Sequence, residues 1–393
     1  MASAARAIEE PDPLGGMSLP GWLYHDAEYH GVEMARVMRP AWQIVCHESD
    51  IAEAGEWRTL DWIGESAIVI RGADRRVRAF HNVCRHRGSR IVDGGGGCAR
   101  KLVCPYHAWV YEADGRLTGI PERADYPGID LADNGLLPIE LERWHGFLFV
   151  RLEDGGPSVA AMMAPYEAEI APYRLEDVRA VGPINLRPRA VNWKNVGDNY
   201  SDALHIPVGH PGLTRLLGRS YAVESSAHVD KLWGIVTDRS SANASERAYQ
   251  HFLPHVAHLP ADNHRLWLYL KLWPNTALEF YPDQIDFMQW LPVSPTQTVL
   301  RDVSYALPGA SREMRAARYL NTRINRLVNA EDHVLIARVQ AGMESGAYRP
   351  GPLSTNEPAL RAFASRIRRL IPEAQLPHPP APGWSRRPAL AAA

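Results

Sequence analysis

The 393-residue chain is 46% hydrophobic and 22% charged, which suits a globular protein of two domains or one large composite. Its 43 Lys and Arg against 45 Asp and Glu leave a formal net charge of −2, which gives general nucleic-acid or membrane-surface binding no support. All but four of the basic residues are Arg, scattered rather than clustered (the lysines are Lys101, Lys194, Lys231 and Lys271). Four cysteines exclude a disulfide scaffold and point to a reducing compartment, where cysteine serves chemistry or packing.

Residues 1–20 carry Pro11, Pro13, Gly15, Gly16 and Pro20 and read as a loose tail. The acidic start, with Glu9, Glu10 and Asp12 and no apolar core, is not a secretory signal. No apolar run approaches the ~20 residues of a membrane span, so a soluble cytoplasmic protein is expected. From Asp26 to Met38 the near-helical spacing of Tyr29, Val32, Met34, Val37 and Met38 predicts a short amphipathic helix. Trp42 to Leu152 has the texture of an all-β module, with short apolar runs such as Ala67–Ile70 and Phe147–Val150 between turns at Gly72–Asp74 and Asp114–Gly115. A linker and helix are expected over 154–180. Mixed strands and helices follow, with strands at Trp267–Trp273 and Phe287–Leu291 and one long helix or two in series over Ser311–Gly342. The Pro-rich end after Leu370 reads as an extended surface tail.

The strongest chemical signal is Cys84-Arg85-His86 followed, 17 residues on, by Cys104-Pro105-Tyr106-His107. Two chemistries use two thiolates and two imidazoles: a structural Zn²⁺ site and a Rieske [2Fe–2S] cluster. Zinc fingers usually pair Cys with Cys and His with His. Here each prong is mixed, which suits two sulfurs at one end of a two-metal cluster and two imidazoles at the other. Gly88 and Pro105 shape the prongs, and Gly94–Gly97 let the chain turn between them. Cys46 reads as a small buried hydrophobe, and Cys98 as a bystander in the loop. Gly94–Ala99 formally fits G-x-G-x-x-A, but it lies between two ligand prongs rather than between a strand and a helix. It is not read as a nucleotide site.

A second constellation follows Asn192-Trp193-Lys194: Asp202, His205 and His210. Three residues apart, Asp202 and His205 would share a helix face. Pro207 would stop the helix, and Gly209 would let His210 swing back toward His205. Two imidazoles and one carboxylate form an open site for Fe(II). Asp202 can supply the acid, but Asp332 fits better. It lies on the apolar stripe of Val328, Leu335, Ile336 and Val339, where an unpaired carboxylate is costly. Its bland alternative is a buried salt bridge. Glu331 points off that stripe and reads as solvated.

These stretches, with Val339-Gln340, resemble the α (terminal oxygenase) subunit of the Rieske non-heme iron oxygenases, the group of the aromatic ring-hydroxylating dioxygenases. The resemblance runs from about residue 20 to 370. It implies an α+β fold: an all-β Rieske [2Fe–2S] domain over 41–155, then a catalytic domain over 156–393 with an antiparallel β-sheet flanked by helices around mononuclear iron. Residues 1–40 would pack on the latter. It implies that Cys84, His86, Cys104 and His107 hold the cluster, and that His205, His210 and Asp332 hold Fe(II). Asp202 would link cluster and iron across subunits of a ring, commonly a homotrimer.

Such a chain relays single electrons to an oxygen-binding iron. It shows no P-loop, dinucleotide fingerprint or flavin motif of its own. NAD(P)H would therefore act through a separate reductase, with or without a ferredoxin, and the partners would be O₂ and a small organic substrate. The aromatic stretch Trp267, Tyr269, Trp273, Phe280, Tyr281, Phe287 and Trp290 suits sheet core, a stacked aromatic substrate or a cage for a quaternary ammonium. Residues 339–354 resemble oxygenases acting on betaine-type substrates. That favours monooxygenation or oxidative N-demethylation, with aromatic ring hydroxylation as the alternative and a pure electron carrier as the remote one.

Overall fold

The computed structural model describes Asp12, residues 14–253, Val256 and residues 258–386. Most of the expected loose tail lies outside these residues. Its last part is tied down: Met17 bridges Pro352, and buried Arg368 donates to the carbonyls of Met17 and Ser18 while pairing with Asp12 at 2.9 Å. Helix α1 (Ala27–Glu33) starts on Asp26, whose side chain accepts from the Tyr29 N–H. A widened turn extends it through Met34–Met38, closed by Arg39 N–H to the Met34 carbonyl. Tyr29, Val37 and Met38 are buried, as their spacing predicts.

The all-β module holds ten strands: β1 (Gln43–His47), β2 (Glu56–Trp62), β3 (Glu65–Arg71), β4 (Val77–His81), β5 (Gly96–Cys98), β6 (Leu102–Val103), β7 (Val110–Tyr111), β8 (Leu117–Gly119), β9 (Glu140–Trp144) and β10 (Phe147–Arg151). They form three antiparallel sheets in the orders β4-β3-β2-β5, β6-β7-β8 and β1-β10-β9. The unbroken apolar run in β3 is buried on both faces, which is why it does not alternate.

Short helices α2 (Val159–Met163) and α3 (Glu167–Ile170) lead into the second half. It contains β11 (Arg179–Ala180), β12 (Asn185–Arg189), α4 (Trp193–Ser201), α5 (Ile206–Gly209), α6 (Pro211–Leu217), β13 (Ala222–Ser225), β14 (Val229–Ile235) and α7 (Ala244–Phe252). Then come β15 (Leu266–Leu272), β16 (Thr276–Phe280), β17 (Ile285–Ser294), β18 (Gln297–Ala306), α8 (Arg312–Met343) and α9 (Pro358–Leu370). The sheet order is β11-β18-β17-β16-β15-β14-β13, with β12 also on β18. Alternation divides its faces. Leu268, Leu270, Leu278, Phe280, Phe287 and Tyr305 build a core on one side. Tyr269, Glu279, Asp286 and Asp302 face a cavity on the other.

Helix α8 is a single 32-residue helix capped by Ser311. Its buried side includes Ile324 and Ile336, with Val328 and Asp332 partly buried along it, but Val339 is exposed. Past Ile336 the buried side turns to Gln340, whose side chain accepts from Asn192 N–H and Asn195 and donates to the Tyr24 carbonyl. The Pro-rich end is also less free than its composition predicts. Trp384 is buried, and Glu28 of α1 accepts from the N–H groups of Gly383 and Ser385.

A buried polar junction joins the halves. The register of β1 on β10 slips between Ile44 and Cys46. At that bulge the Arg301 guanidinium of β18 donates to the carbonyls of Ile44 (3.0 Å) and Val45. Gln43 exchanges hydrogen bonds with Asn275 and accepts from Gln289 at 2.9 Å. All four side chains are buried. Arg301→Met strands two carbonyls and should cost roughly 3 kcal/mol. A thermal melt would show a lower midpoint, and an unchanged midpoint would remove the junction from the stability argument.

Candidate functional site

The two cysteine–histidine prongs are built alike. Gly88 N–H closes onto the Cys84 carbonyl at 3.0 Å, and Ala108 N–H onto the Cys104 carbonyl at 3.0 Å. Both closing residues have positive φ, +73° at Gly88 and +52° at Ala108, so the second prong holds a strained alanine where the first uses glycine. Asn82 fixes the first prong's base by accepting from the N–H groups of Ile91 and Val92. Both cysteines are buried.

The donor set fits a Rieske cluster. The two thiols adjoin, and the His86 and His107 rings lie 4.6 Å apart. Burial raises the Cys104 thiol, but backbone N–H groups of Tyr106 and His107 outweigh it and favour thiolate. His86 stacks on Trp109 at 4.9 Å, and its Nδ1 is buried without a hydrogen-bond partner. Tyr111, which the sequence did not single out, places its hydroxyl 3.3 Å from Cys84 Sγ while accepting from Arg85 N–H. Cys98 is exposed on β5, and Cys46 is buried with its thiol pushed up by burial.

The second constellation converges as expected but by another local route. Helix α4 ends at Ser201, so Asp202 and His205 do not share a helix face. Asp202 adopts an extended conformation, and its carboxylate accepts from Leu204 N–H (2.7 Å) and His205 N–H (3.2 Å). An aspartate competing for backbone donors ends the helix and bends the chain. Pro207 does not stop a helix; it lies in the first turn of α5. Gly209 serves close approach rather than positive φ. A Cβ there would sit 2.8 Å from Leu335 Cδ1 on α8.

His205 Nε2 and His210 Nε2 lie 3.0 Å apart, with Asp332 Oδ1 3.6 and 2.9 Å away. These three residues form a metal-competent group, with donor atoms within 4.8 Å of one another. Asp332 Oδ1 is buried and has no well-directed hydrogen bond. Each imidazole is oriented from behind: Asp202 Oδ2 is 3.0 Å from His205 Nδ1, and Glu331 Oε2 is 2.8 Å from His210 Nδ1. Glu331 is therefore not simply solvated. Holding the proton on Nδ1 leaves both Nε2 lone pairs for a cation. Burial lowers the His205 imidazole, but Asp202 and Asp332 outweigh it and push it up to about 9. Three carboxylates around two imidazoles make a locus that favours a cation, so the residues fit Fe(II).

Residues 168–373 match the family described as ring hydroxylating alpha subunit (catalytic domain), and residues 41–132 match the Rieske [2Fe–2S] domain. The chain belongs to the Rieske ring-hydroxylating oxygenase α subunits. Among its relatives is the carnitine monooxygenase oxygenase subunit of Escherichia coli K12, 28% identical over 86% of this chain and 87% of the relative. The glycine betaine monooxygenase oxygenase subunit of Chromohalobacter salexigens is 29% identical over 86% and 82%. A quaternary ammonium Rieske monooxygenase shares the fold, with a TM-score of 0.77 at 21% identity over 90% of this chain and 95% of that one. So does naphthalene 1,2-dioxygenase from Rhodococcus sp., with 0.71 at 20% identity over 90% and 94%. The family's cofactors are a Rieske [2Fe–2S] cluster and mononuclear iron, reduced from NAD(P)H through a separate reductase. No helix among the described residues is long and apolar enough to cross a membrane.

Beside the triad the oxygenase has a cavity of about 360 Å³, between the sheet, the α4–α6 segment and α8. Tyr269 stands in its wall with the rings of Tyr200, Tyr221 and Tyr281 centred 5.8–6.3 Å away. Glu279, only 5% exposed, accepts from the hydroxyls of Tyr200 (2.9 Å) and Tyr281 (2.7 Å). Burial pushes its carboxyl up. Of the aromatic stretch singled out in sequence, Tyr269 and Tyr281 line the cavity, whereas Phe287 and Trp290 belong to buried cores.

Two outcomes test these geometries. Asp332→Ala should lose mononuclear iron while the cluster's visible absorption stays, and Glu331→Gln should weaken iron binding about 10- to 100-fold; full iron in both variants would remove the triad. Tyr111→Phe should lower the cluster's reduction potential by roughly 60 mV, the one-electron equivalent of a ~1.4 kcal/mol hydrogen bond. An unchanged voltammogram would dismiss that bond.

Proposed function

We propose that this chain is the oxygenase component of a monooxygenase for a quaternary ammonium compound of the betaine type. The wall of four tyrosine rings and a buried carboxylate beside the triad carries this reading. A quaternary ammonium cannot donate hydrogen bonds, so it is recognised by ring faces and a nearby negative charge. An aromatic hydrocarbon would bring no counter-charge to Glu279, which is buried in the wall, at substantial cost. The carnitine and glycine betaine relatives support the same choice.

In this reading Cys84, His86, Cys104 and His107 hold the cluster, and His205, His210 and Asp332 hold iron. The relay unit spans about 41–155 and the catalytic unit 156–393, with residues 1–40 packed on the latter. When bound, the cluster supplies electrons singly and the iron supplies O₂ binding and reduction. In balance, substrate C–H, O₂, two electrons and two protons give C–OH and water. Hydroxylation of an N-methyl carbon would be followed by loss of formaldehyde. Asp202 and Glu331 keep the imidazole protons on Nδ1, and Glu279 with its tyrosines orients the cation.

Asp202 would also link to a neighbouring subunit in a homotrimer. Exposed apolar side chains at the prongs (Val83, Val103, Tyr106) and by the triad (Leu204, Val208) support such a contact. A separate reductase, with or without a ferredoxin, and a cytoplasmic location complete the proposal.

The test is turnover with a surrogate reductase on glycine betaine, L-carnitine, choline and naphthalene, read by product mass. Oxygen insertion or demethylation is expected with a quaternary ammonium compound only. Asp202→Asn is the control: supplied with iron to saturation, it should hold both metals but form no product. Turnover of naphthalene alone would overturn the assignment.

A further inference from the structure

The register of the large sheet orders charge along the cavity floor. Tyr269 on β15 pairs with Glu279 on β16, and Glu279 with Asp286 on β17. Next along, Met288 pairs with Asp302 on β18, and Asp302 with Asn185 on β12. Arg187 and Arg189 of β12 pair with Leu300 and Thr298. Directly paired residues share a sheet face, so tyrosines and carboxylates occupy one side of the floor and guanidiniums the other. Arg326 of α8 joins the guanidinium side.

At that end one carboxylate, Asp302, feels three guanidiniums, those of Arg187, Arg189 and Arg326. Arg187 lies 2.7 Å from it, and Asn185 donates to it at 3.2 Å. Asp302 can neutralise only one of the three. The Arg187 Nε is buried without a hydrogen-bond partner. Arg189 donates to the carbonyl of its own neighbour Pro188 and forms no ion pair among the described residues. Burial and the adjoining Arg187 both lower the Arg189 guanidinium, the signature of a half-buried cation beside like charge. Such a cluster gains from a planar anion that can accept two parallel N–H bonds.

We propose that Arg189, with Arg187 and Arg326, forms an anion subsite in the substrate cavity that takes the carboxylate of a zwitterionic quaternary ammonium substrate. The inference rests on the proposed function for its cationic end, and it adds what that reading leaves open. The enzyme selects a betaine carrying a free carboxylate over a purely cationic alcohol of the choline type. Arg187 is near enough to Glu279 to act on its carboxyl, and Arg189 lies two residues further along the same face of β12, so the cationic and anionic ends open onto one cavity.

The test measures binding to the cluster- and iron-loaded protein by calorimetry, using γ-butyrobetaine, its methyl ester and choline. The ester keeps the cation and removes the negative charge. Wild type should bind the acid at least about tenfold more tightly than the ester or choline. Arg189→Met should lose about tenfold for the acid and leave the ester unchanged, while Arg189→Lys should fall between. Glu279→Gln should weaken acid and ester alike. Unchanged cluster absorption in each variant reports an intact fold. Equal tight binding of acid and ester to wild type, with Glu279→Gln weakening both, would overturn the anion subsite and leave the proposed function standing. Loss of both ligands in Arg189→Met would also overturn it. Binding of neither ligand to wild type would overturn both readings.

Discussion

A carboxylate fixed within a 32-residue helix, facing two imidazoles at 3.6 and 2.9 Å, is the constraint on which the catalytic half depends. Asp332 is costly where it sits unless positive charge meets it. The surrounding structure is arranged to meet it. Asp202 ends α4 and turns the chain so that His205 faces inward. Gly209 leaves room for the Leu335 side chain of α8, whose Cδ1 a Cβ there would approach to 2.8 Å. Pro211 starts α6 immediately after His210. Glu331, one residue before Asp332, reaches His210 from the same helix. One helix therefore supplies both a donor and the group that orients another donor.

The same economy appears in the sheet. A strand alternates its faces by geometry alone, so each of β15–β18 feeds a hydrophobic core and a polar cavity at once. The apolar residues on the core face hold the sheet. The residues opposite are then free to be Tyr, Glu, Asp and Asn without loss of the fold. The buried carboxylate of Glu279 remains a liability that two tyrosine hydroxyls offset only in part. A liability kept inside a cavity next to a metal-competent triad is best understood as ligand recognition.

The prongs were legible because metal ligation demands particular residue types at short spacing, and Cys84, His86, Cys104 and His107 announce both. His205 and His210 were legible for the same reason, and Asp332 because an acid interrupted an apolar stripe. Glu331 and Tyr111 were not. The wheel of α8 assigns Glu331 to the solvent side, and only the position of His210 gives it a partner. Tyr111 meets Cys84 across 27 residues through the pairing of β7 with β6, which no local pattern encodes. The helix expected through Asp202 failed because side-chain capture of backbone N–H groups competes with helix hydrogen bonds. Glu279 was hidden as one acid in a strand whose cavity face is defined only by its neighbours.

Electron delivery sets the last demand on the design. A one-electron relay works only if its geometry to the oxygen site is fixed, whether that site lies in the same chain or in the next one around a ring. Within the chain, the Arg301–Ile44–Val45 contacts and the Gln43, Asn275 and Gln289 cluster bind β1 of the relay unit to the catalytic sheet through buried hydrogen bonds. Such bonds are directional, and breaking the junction by a hinge motion would strand several buried polar groups at once. An apolar seam of the same area would tolerate sliding. The polar junction instead specifies one relative orientation, so the prongs of each chain are presented at a set angle to whatever they face. In the proposed trimer that angle repeats around the ring, and a single rigid junction would align every relay with its acceptor.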